Sequence, residues 1–351
     1  MKLYCPEPLA QVPVHPLFFF KFPERETARG YFNENLPPNY FEHEVEWVPI
    51  EDAAAVVVPN NFVRVTDASR AYIKQIADEA ERLSKPVFVF SHADLSDRVR
   101  FDPRVYVFRY SVYRHTKGPR DIMTPTLVED LGTGGITLRT KVPVPVVSFC
   151  GKAGYPSVMQ WLNYLGKTAY YHMLGVWQPY ARARKVGVYW RRATMRACAG
   201  STLIKTSFIV RQGFSGHPRS ADKDPESLRK EFVDSVVGAD FVLAPKGDGN
   251  YSNRFQETLS LGRIPVYIET DSCLPLEKVA DYNRVIVRVP MERVGETPRY
   301  IREFYDSLGE EEYAKLQRLA RETFEQYVRP DAFYRYIFTQ ALPNGTLTSL
   351  S

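Results

Sequence analysis

The sequence predicts an α/β protein of two Rossmann-like domains in tandem, and three observations predict it. Short apolar runs alternate with helix-period segments along the whole chain, as expected of buried parallel strands joined by crossover helices. Each half contains a complete strand–helix–strand unit, which closes as a right-handed crossover. Between the halves, around Asp121 to Pro145, no period is sustained and Gly, Thr and Pro accumulate, the composition of a linker. At 351 residues the chain is long for one core and sufficient for two.

In chain order, "LFFFKF", "AAAVVVP", "KPVFVFS" and "RVYVFRY" read as strands of the first domain. Between the second and third lies the helix "DASRAYIKQIADEAERLSK", with Asp67 placed as N-cap and Tyr72, Ile76, Ala80 and Leu83 at helical spacing. Gly132, Gly134 and Gly135 lack a preceding strand and a following helix, so they read as a turn or hairpin rather than a phosphate loop. "VPVVSFCGKAG" is a strand running into a Gly-Lys-Ala-Gly turn, followed by a long helical and aromatic region and the strand "STLIKTSFIVR". "DPESLRKEFVDSVVGA" is a helix with Asp224 as N-cap, Pro225 at the first position and Gly238 near its end. Strand 240–246, the helix "NRFQETLSLG" and "RIPVYIETD" make a second βαβ unit, and two amphipathic helices close the chain. The expected boundaries are 1–144 for the first domain, 145–329 for the second, and 330–351 for a last helix and tail free to pack back on the first.

Composition sets limits. Apolar residues make up 44% and charged residues 25%, ordinary for a globular protein. A formal charge of +5 suits phosphate-bearing ligands or anionic membrane surfaces, and with no basic arm or motif nucleic acid is not expected as a partner. Cys5, Cys150, Cys198 and Cys273 form no C-x-x-C pair and read as free buried thiols. No window approaches the roughly 20 apolar residues of a spanning helix, and no signal-peptide core is present, so a cytoplasmic protein is expected, with peripheral contact at the inner membrane face left open. "YRYIF" and "WQPYARARK" can line an acceptor groove or rest on a membrane, but most of their aromatics are expected in the core.

The stretch "APKGDGNYSNRFQETLSLGRIPVY" concentrates the chemistry. In parallel sheets ligands bind beyond the carboxyl ends of strands, at helix N-termini. Gly247 and Gly249 let a ligand approach the backbone, Ser252 or Asn253 can cap the helix, and Lys246 and Arg254 can neutralise an anion. Arg254 and Glu257, three apart, share a face near the helix start. The plainer alternative is a solvated turn with an intrahelical Arg–Glu pair. The loop is neither a Walker A loop nor G-x-G-x-x-G, because Ser252 stands where the third glycine would be.

The run "FVLAPKGDGNYSNRFQETLSLGRIPVYIETDSCLP" resembles the donor-domain signature of the exostosin-type glycosyltransferases. The match is carried by Pro245, Gly247, Ser252, Arg254, Glu257, Gly262, Ile264, Pro265, Val266, Asp271 and Pro275, with "VVSFCGKAGY" similar to the strand and turn that open that domain. The resemblance covers roughly 145–330, and only element order supports it before that. It implies a GT-B fold, two Rossmann-like domains facing a cleft, with a nucleotide-diphosphate sugar bound to the second. It also implies that Glu257 holds the donor ribose while Arg254, Ser252 and the helix amides meet the diphosphate. Lys152 and Arg211 are further candidates for neutralising the leaving nucleotide, or else a turn residue and a surface residue at a strand end. Family members of the Golgi carry a membrane anchor near the N-terminus that this sequence lacks, which disfavours heparan-type substrates.

Sugar transfer of this kind needs no metal, and no metal-ligand spacing occurs. The triplet Asp222-Lys223-Asp224 precedes a Pro-initiated helix and reads as a cap. An inverting enzyme needs a base for the acceptor hydroxyl. Asp94 and His92, just past a strand end in "KPVFVFSHADLSD", are the candidates, against a cap and a surface histidine as alternatives. His15, His43 and Asp67 are weaker candidates. The expected acceptor is a glycan or lipid-linked saccharide, in bacterial-type polysaccharide assembly. The alternative function is a non-catalytic sugar-nucleotide or glycan-binding subunit of such a system.

Overall fold

The computed structural model describes residues 1–24, 37–96, 101–155, 157–211 and 224–350. The chain forms two compact units, one of Met1–Leu127, Cys273–Val279 and Tyr327–Ser351, the other of Val128–Ser272 and Ala280–Gln326. Each is an α/β unit around one parallel sheet, as expected from the alternating pattern.

In the first unit β1 (Lys2–Tyr4), β2 (Glu46–Trp47), β3 (Ala55–Asn61), β4 (Val87–Ser91), β5 (Tyr106–Arg109) and β6 (Asp121–Met123) pair in the order β2-β1-β3-β4-β5-β6, all parallel. Side chains alternate across the sheet, so each face has its own chemistry. Val56, Val58, Val87, Val89, Val105 and Val107 meet Ile73, Ile76, Ala77 and Ala80 of a helix at Asp67–Arg82 on an aliphatic face. The opposite face is aromatic: Phe88, Phe90 and Phe108 pack against Phe18 and Phe41 and against Phe333, Tyr334, Ile337 and Phe338. The helix α1 (Tyr40–His43) supplies Phe41, and the helix at Asp67–Arg82 is α2.

Three local expectations are corrected here. The "LFFFKF" run is no strand: Pro16–Phe18 is a single 3-10 turn, because Pro16 has no N–H for a ladder and its fixed φ suits a helical start. The sheet takes Lys2–Tyr4 instead. The N-cap of α2 is Thr66, whose hydroxyl accepts from Ser69 N at 3.2 Å, while Asp67 is the first helical residue and pairs with Arg70 in solvent. The start of the expected linker, Asp121–Met123, is a strand beside β5.

In the second unit β7 (Val146–Lys152), β8 (Lys205–Arg211), β9 (Phe241–Leu243), β10 (Ile264–Glu269) and β11 (Val287–Pro290) pair in the order β11-β10-β9-β7-β8, all parallel. Strand β9 is shorter than the 240–246 expected, since Pro245 cannot donate and Ala244 N makes the last bond, to Val266 O at 3.0 Å. The helices are α3 (Val158–Trp177), α4 (Gly187–Ala199), α5 (Pro225–Val237), α6 (Asn253–Ser260), α7 (Thr297–Asp306) and α8 (Glu310–Thr323). Asp224 caps α5 as expected, accepting from Ser227 N at 2.9 Å, with Pro225 first and Gly238 at its C-cap. Leu131 to Gly134 form a turn closed by Gly135 N to Gly132 O at 2.9 Å. Gly262 has φ +65°, and a Cβ there would lie 2.6 Å from Ile136 Cδ1.

A buried carboxylate fixes the entry to β7. Asp240, fully inaccessible, accepts from Arg139 Nε (2.9 Å), Val146 N (2.7 Å) and Tyr313 OH (2.7 Å). Removing it strands a half-buried guanidinium, an amide and a buried hydroxyl. Asp240→Ala is expected to lower unfolding free energy by about 3–5 kcal/mol, read from the urea midpoint. Tyr313→Phe should lose only about 1 kcal/mol. An unchanged midpoint in Asp240→Ala would refute this account.

Candidate functional site

The connection from β7 runs outward to β8 while that from its neighbour β9 runs the other way to β10, so a crevice opens beyond the carboxyl ends of β7 and β9, where such sheets bind ligands. Two segments reach that point: Cys150-Gly151-Lys152 at the end of β7, and the loop from Ala244 to Ser252 that leads from β9 into α6.

The loop is held rigidly. Gly247 N donates to Tyr251 O at 2.7 Å, and the buried Asn250 exchanges hydrogen bonds with Thr270 beyond β10, Nδ2 to O at 3.1 Å and Oγ1 to Oδ1 at 2.9 Å. Gly187, the first residue of α4, lies against it so closely that a Cβ there would come within 2.3 Å of Gly247 O. Lys246 points inward: its ammonium donates to Ala183 O at 2.9 Å, and burial, with Arg184 adding repulsion, pulls it down to about 7.

Two guanidiniums occupy the end of β7. Arg254, at the second position of α6, donates from Nη2 to Cys150 O at 2.9 Å and lies over the Phe149 ring at 4.5 Å. Gly151 permits this, since a Cβ there would stand 2.4 Å from Arg254 Nη2, and its φ of +148° also favours glycine. Arg191, from α4, donates from Nη1 to Lys152 O at 2.9 Å. In both side chains Nε is buried without a hydrogen-bond partner, and among the described residues neither forms an ion pair. Burial, and then the proximity of Arg191, pulls Arg254 down to about 10, and burial lowers Arg191 as well. Two neighbouring guanidiniums drawn out of water and bonded to no carboxylate, with Asp248 and Glu257 acting on them only through space, stand beside a helix N-terminus and suit an anion.

The other expected residues are placed as follows. Ser252 is the N-cap of α6, half-buried, and its side chain caps no amide; Asn253 is exposed. Glu257 does not pair with Arg254. Its Oε1 accepts from Arg229 Nη1 at 2.8 Å, and Arg229 also binds Glu129 Oε2 from Nε at 2.8 Å and Nη2 at 2.5 Å. The intrahelical Arg–Glu pair is therefore absent here. Arg211 is no surface residue: it is largely buried and ion-paired with Glu231. Lys152 is half-buried, its ammonium 4.9 Å from the Tyr155 ring centroid. Sequence reasoning missed Arg191, whose signal was the basic run "YWRRATMR", and missed Arg229 and Gly151.

In the first unit, His92 is buried rather than a surface histidine. Its Nδ1 lies 2.7 Å from His15 Nε2 and its Nε2 2.9 Å from Thr124 Oγ1, with the ring stacked on Tyr110 at 3.7 Å. Burial holds both histidines well below their usual range, His15 at about 3. With both nitrogens engaged, His92 presents none to a ligand. Asp94, two residues on, is exposed, as are His43 and Asp67. Among the described residues no three His, Cys, Asp or Glu gather as a metal would require. Asp222 and Lys223 lie outside the described residues, and Asp224 is the α5 cap.

The depressed Lys246 makes a pH prediction. Between about 7 and its unfolded value near 10.5 the unfolded chain binds more protons, so Lys246 destabilises the fold below about pH 7 and this penalty is relieved as pH rises. The stability gap between wild type and Lys246→Met should therefore shift in favour of wild type from about pH 7 to about pH 10, measured by urea unfolding. A gap independent of pH would contradict the buried ammonium.

No known family profile matches the chain, and no curated protein matches it. Among solved structures it is similar to an alpha-glucosyltransferase in complex with UDP-glucose and DNA containing an abasic site, at 12% identity and TM-score 0.36, over 97% of this chain and 98% of that one. It is also similar to HepE of Anabaena in complex with UDP-glucose, at 10% identity and TM-score 0.34, over 99% and 100%.

Proposed function

We propose that the protein is a metal-independent glycosyltransferase of exostosin type and GT-B class, moving a sugar from a nucleotide-diphosphate donor to a glycan or lipid-linked saccharide. The observation that carries the reading is the pair of guanidiniums, Arg191 and Arg254, without an ion-pair partner among the described residues, at the switch point of the second sheet. They select an anion, and the resemblance of 241–275 to the exostosin signature selects a nucleotide sugar. Arg254, Ser252 and the first amides of α6 take the diphosphate, and Arg191 takes its other side. Lys152 and Lys246 add positive field. Glu257, oriented through Oε1 by Arg229, uses Oε2 to accept from the donor ribose.

In the transfer the acceptor oxygen bonds to the anomeric carbon as the bond from that carbon to the phosphate oxygen breaks. The electron pair leaves with the nucleoside diphosphate, and the acceptor proton goes to a base, for which Asp94 is proposed. Negative charge grows on the diphosphate in the transition state, so fixed cations there accelerate the step.

In a panel of UDP-, GDP- and ADP-linked sugars, at least one should raise the melting temperature. Arg254→Met or Arg191→Met should weaken its binding roughly ten- to hundredfold, the loss of hydrogen bonds to a charged group worth about 1.5–3 kcal/mol. Gly151→Ala should weaken it comparably by displacing Arg254. If no member of the panel binds, or the arginine variants bind normally, the reading fails.

Nucleotide release by the pure protein, in chelator and with acceptor present, tests catalysis. Asp94→Asn should lower turnover far more than donor affinity. Binding without release would favour the non-catalytic sugar-nucleotide-binding subunit, and rescue of activity by Mg or Mn would remove metal independence.

A further inference from the structure

We infer that α3 is a docking element for an anionic lipid surface. "WQPYARARK" was expected mostly in the core, yet Trp177 is 85% exposed and Tyr180 is exposed with it, whereas "YRYIF" is indeed packed inside. Trp177 belongs to a larger face. At 100° per residue, Val158, Met159, Leu162, Leu165, Met173 and Trp177 fall within an arc of about 120° on α3. All are exposed, Met173 by 70%. The opposite side packs on the protein through Tyr164 and Gly175, and a Cβ at Gly175 would meet Arg182 Cγ at 2.3 Å. A helix of the usual arrangement turns its apolar face inward. This one turns it to solvent, over an area that single scattered residues do not explain.

Charge identifies the occupant. From Leu131 to Ala221 the sequence contains no Asp or Glu and 13 Lys or Arg. Lys167 on α3, Arg182 after it, and Arg192 and Arg196 on α4 are exposed, Arg182 on the flank of α3 that carries Gly175 and Arg192 lying over Trp161 at 4.8 Å. A second copy of the chain meeting this face about a two-fold axis would bring these cations against themselves. An anionic bilayer neutralises them while the acyl region receives Leu, Met and Trp side chains. No helix of the described residues is long and apolar enough to cross a membrane, and with one side packed on the protein, α3 lies in the interface plane. This surface is independent of the donor reading, although α4, which supplies Arg191, follows it in the chain.

The test is co-sedimentation of the full chain with vesicles of phosphatidylcholine mixed with phosphatidylglycerol, against phosphatidylcholine alone. The chain should bind the mixed vesicles preferentially, and added salt should weaken binding. Leu162→Ser/Met173→Ser/Trp177→Ser should lower partitioning at least about tenfold. These side chains face solvent, so its thermal melt should match wild type; if it does not, Trp177→Ser alone must lower partitioning severalfold. Lys167→Glu/Arg196→Glu should erase the preference for phosphatidylglycerol. Wild type left in the supernatant, or folded apolar-face variants that bind undiminished, would overturn the inference. So would a dimer in sedimentation velocity that the triple variant abolishes, without vesicle binding.

Discussion

The hydrogen bond from Arg254 to the Cys150 carbonyl is the interaction on which the second unit's site depends. It brings the start of α6 to the end of β7, and it exists because Gly151 has no side chain in its path. What neutralises the guanidinium is unusual: a carbonyl dipole and an aromatic face, with no carboxylate paired to it. Arg191 likewise donates to a carbonyl of β7, that of Lys152, two residues on. Two adjacent cations drawn out of water with no carboxylate bonded to either raise the free energy of the unliganded fold, and a bound dianion lowers it again. The neighbouring loop is fixed by Asn250 and Thr270 and by the close approach of Gly187, so the cations are already in place when an anion arrives.

Glu257 shows how tertiary context redirects a local pairing. Three residues after Arg254, it lies where an intrahelical pair would form. Arg229 of α5 takes its Oε1 instead and ties it to Glu129, leaving Arg254 to β7. An intrahelical pair would have cancelled the charge that makes the site. The bridge from α5 thus maintains positive potential at the strand end while fixing a carboxylate nearby.

Much of this was legible in the sequence where local rules suffice. The valine-rich runs became buried parallel strands, and Asp224-Pro225 with Gly238 bounded α5, because caps and buried strands are written within a few residues. The grouping of Lys246, Gly247, Ser252, Arg254 and Glu257 on one loop and helix start was also readable. Arg191 was not, because its part in the site depends on α4 crossing the end of β7, which no spacing within α4 reveals. Phe19 and Phe20 misled because an aromatic run looks like a strand until Pro16 sets a helical turn. His92 misled because the residue after a strand is ordinarily at the surface, and here His15 and Thr124 enclose it. Trp177 misled in the opposite direction, since apolar periodicity says that a face is buried and not by what.

The aromatic face of the first sheet has a consequence for biosynthesis. Phe88, Phe90 and Phe108 are covered by Phe333, Tyr334, Ile337 and Phe338, which leave the ribosome more than 200 residues later. The aliphatic face, closed by α2 from within the same βαβ unit, can assemble at once. The nascent first unit is therefore a sheet with one finished side and one open aromatic side throughout synthesis of the second unit, which lies between them in sequence. Its completion waits on a long-range closure, slow by loop entropy, and chaperone demand should centre on that open side.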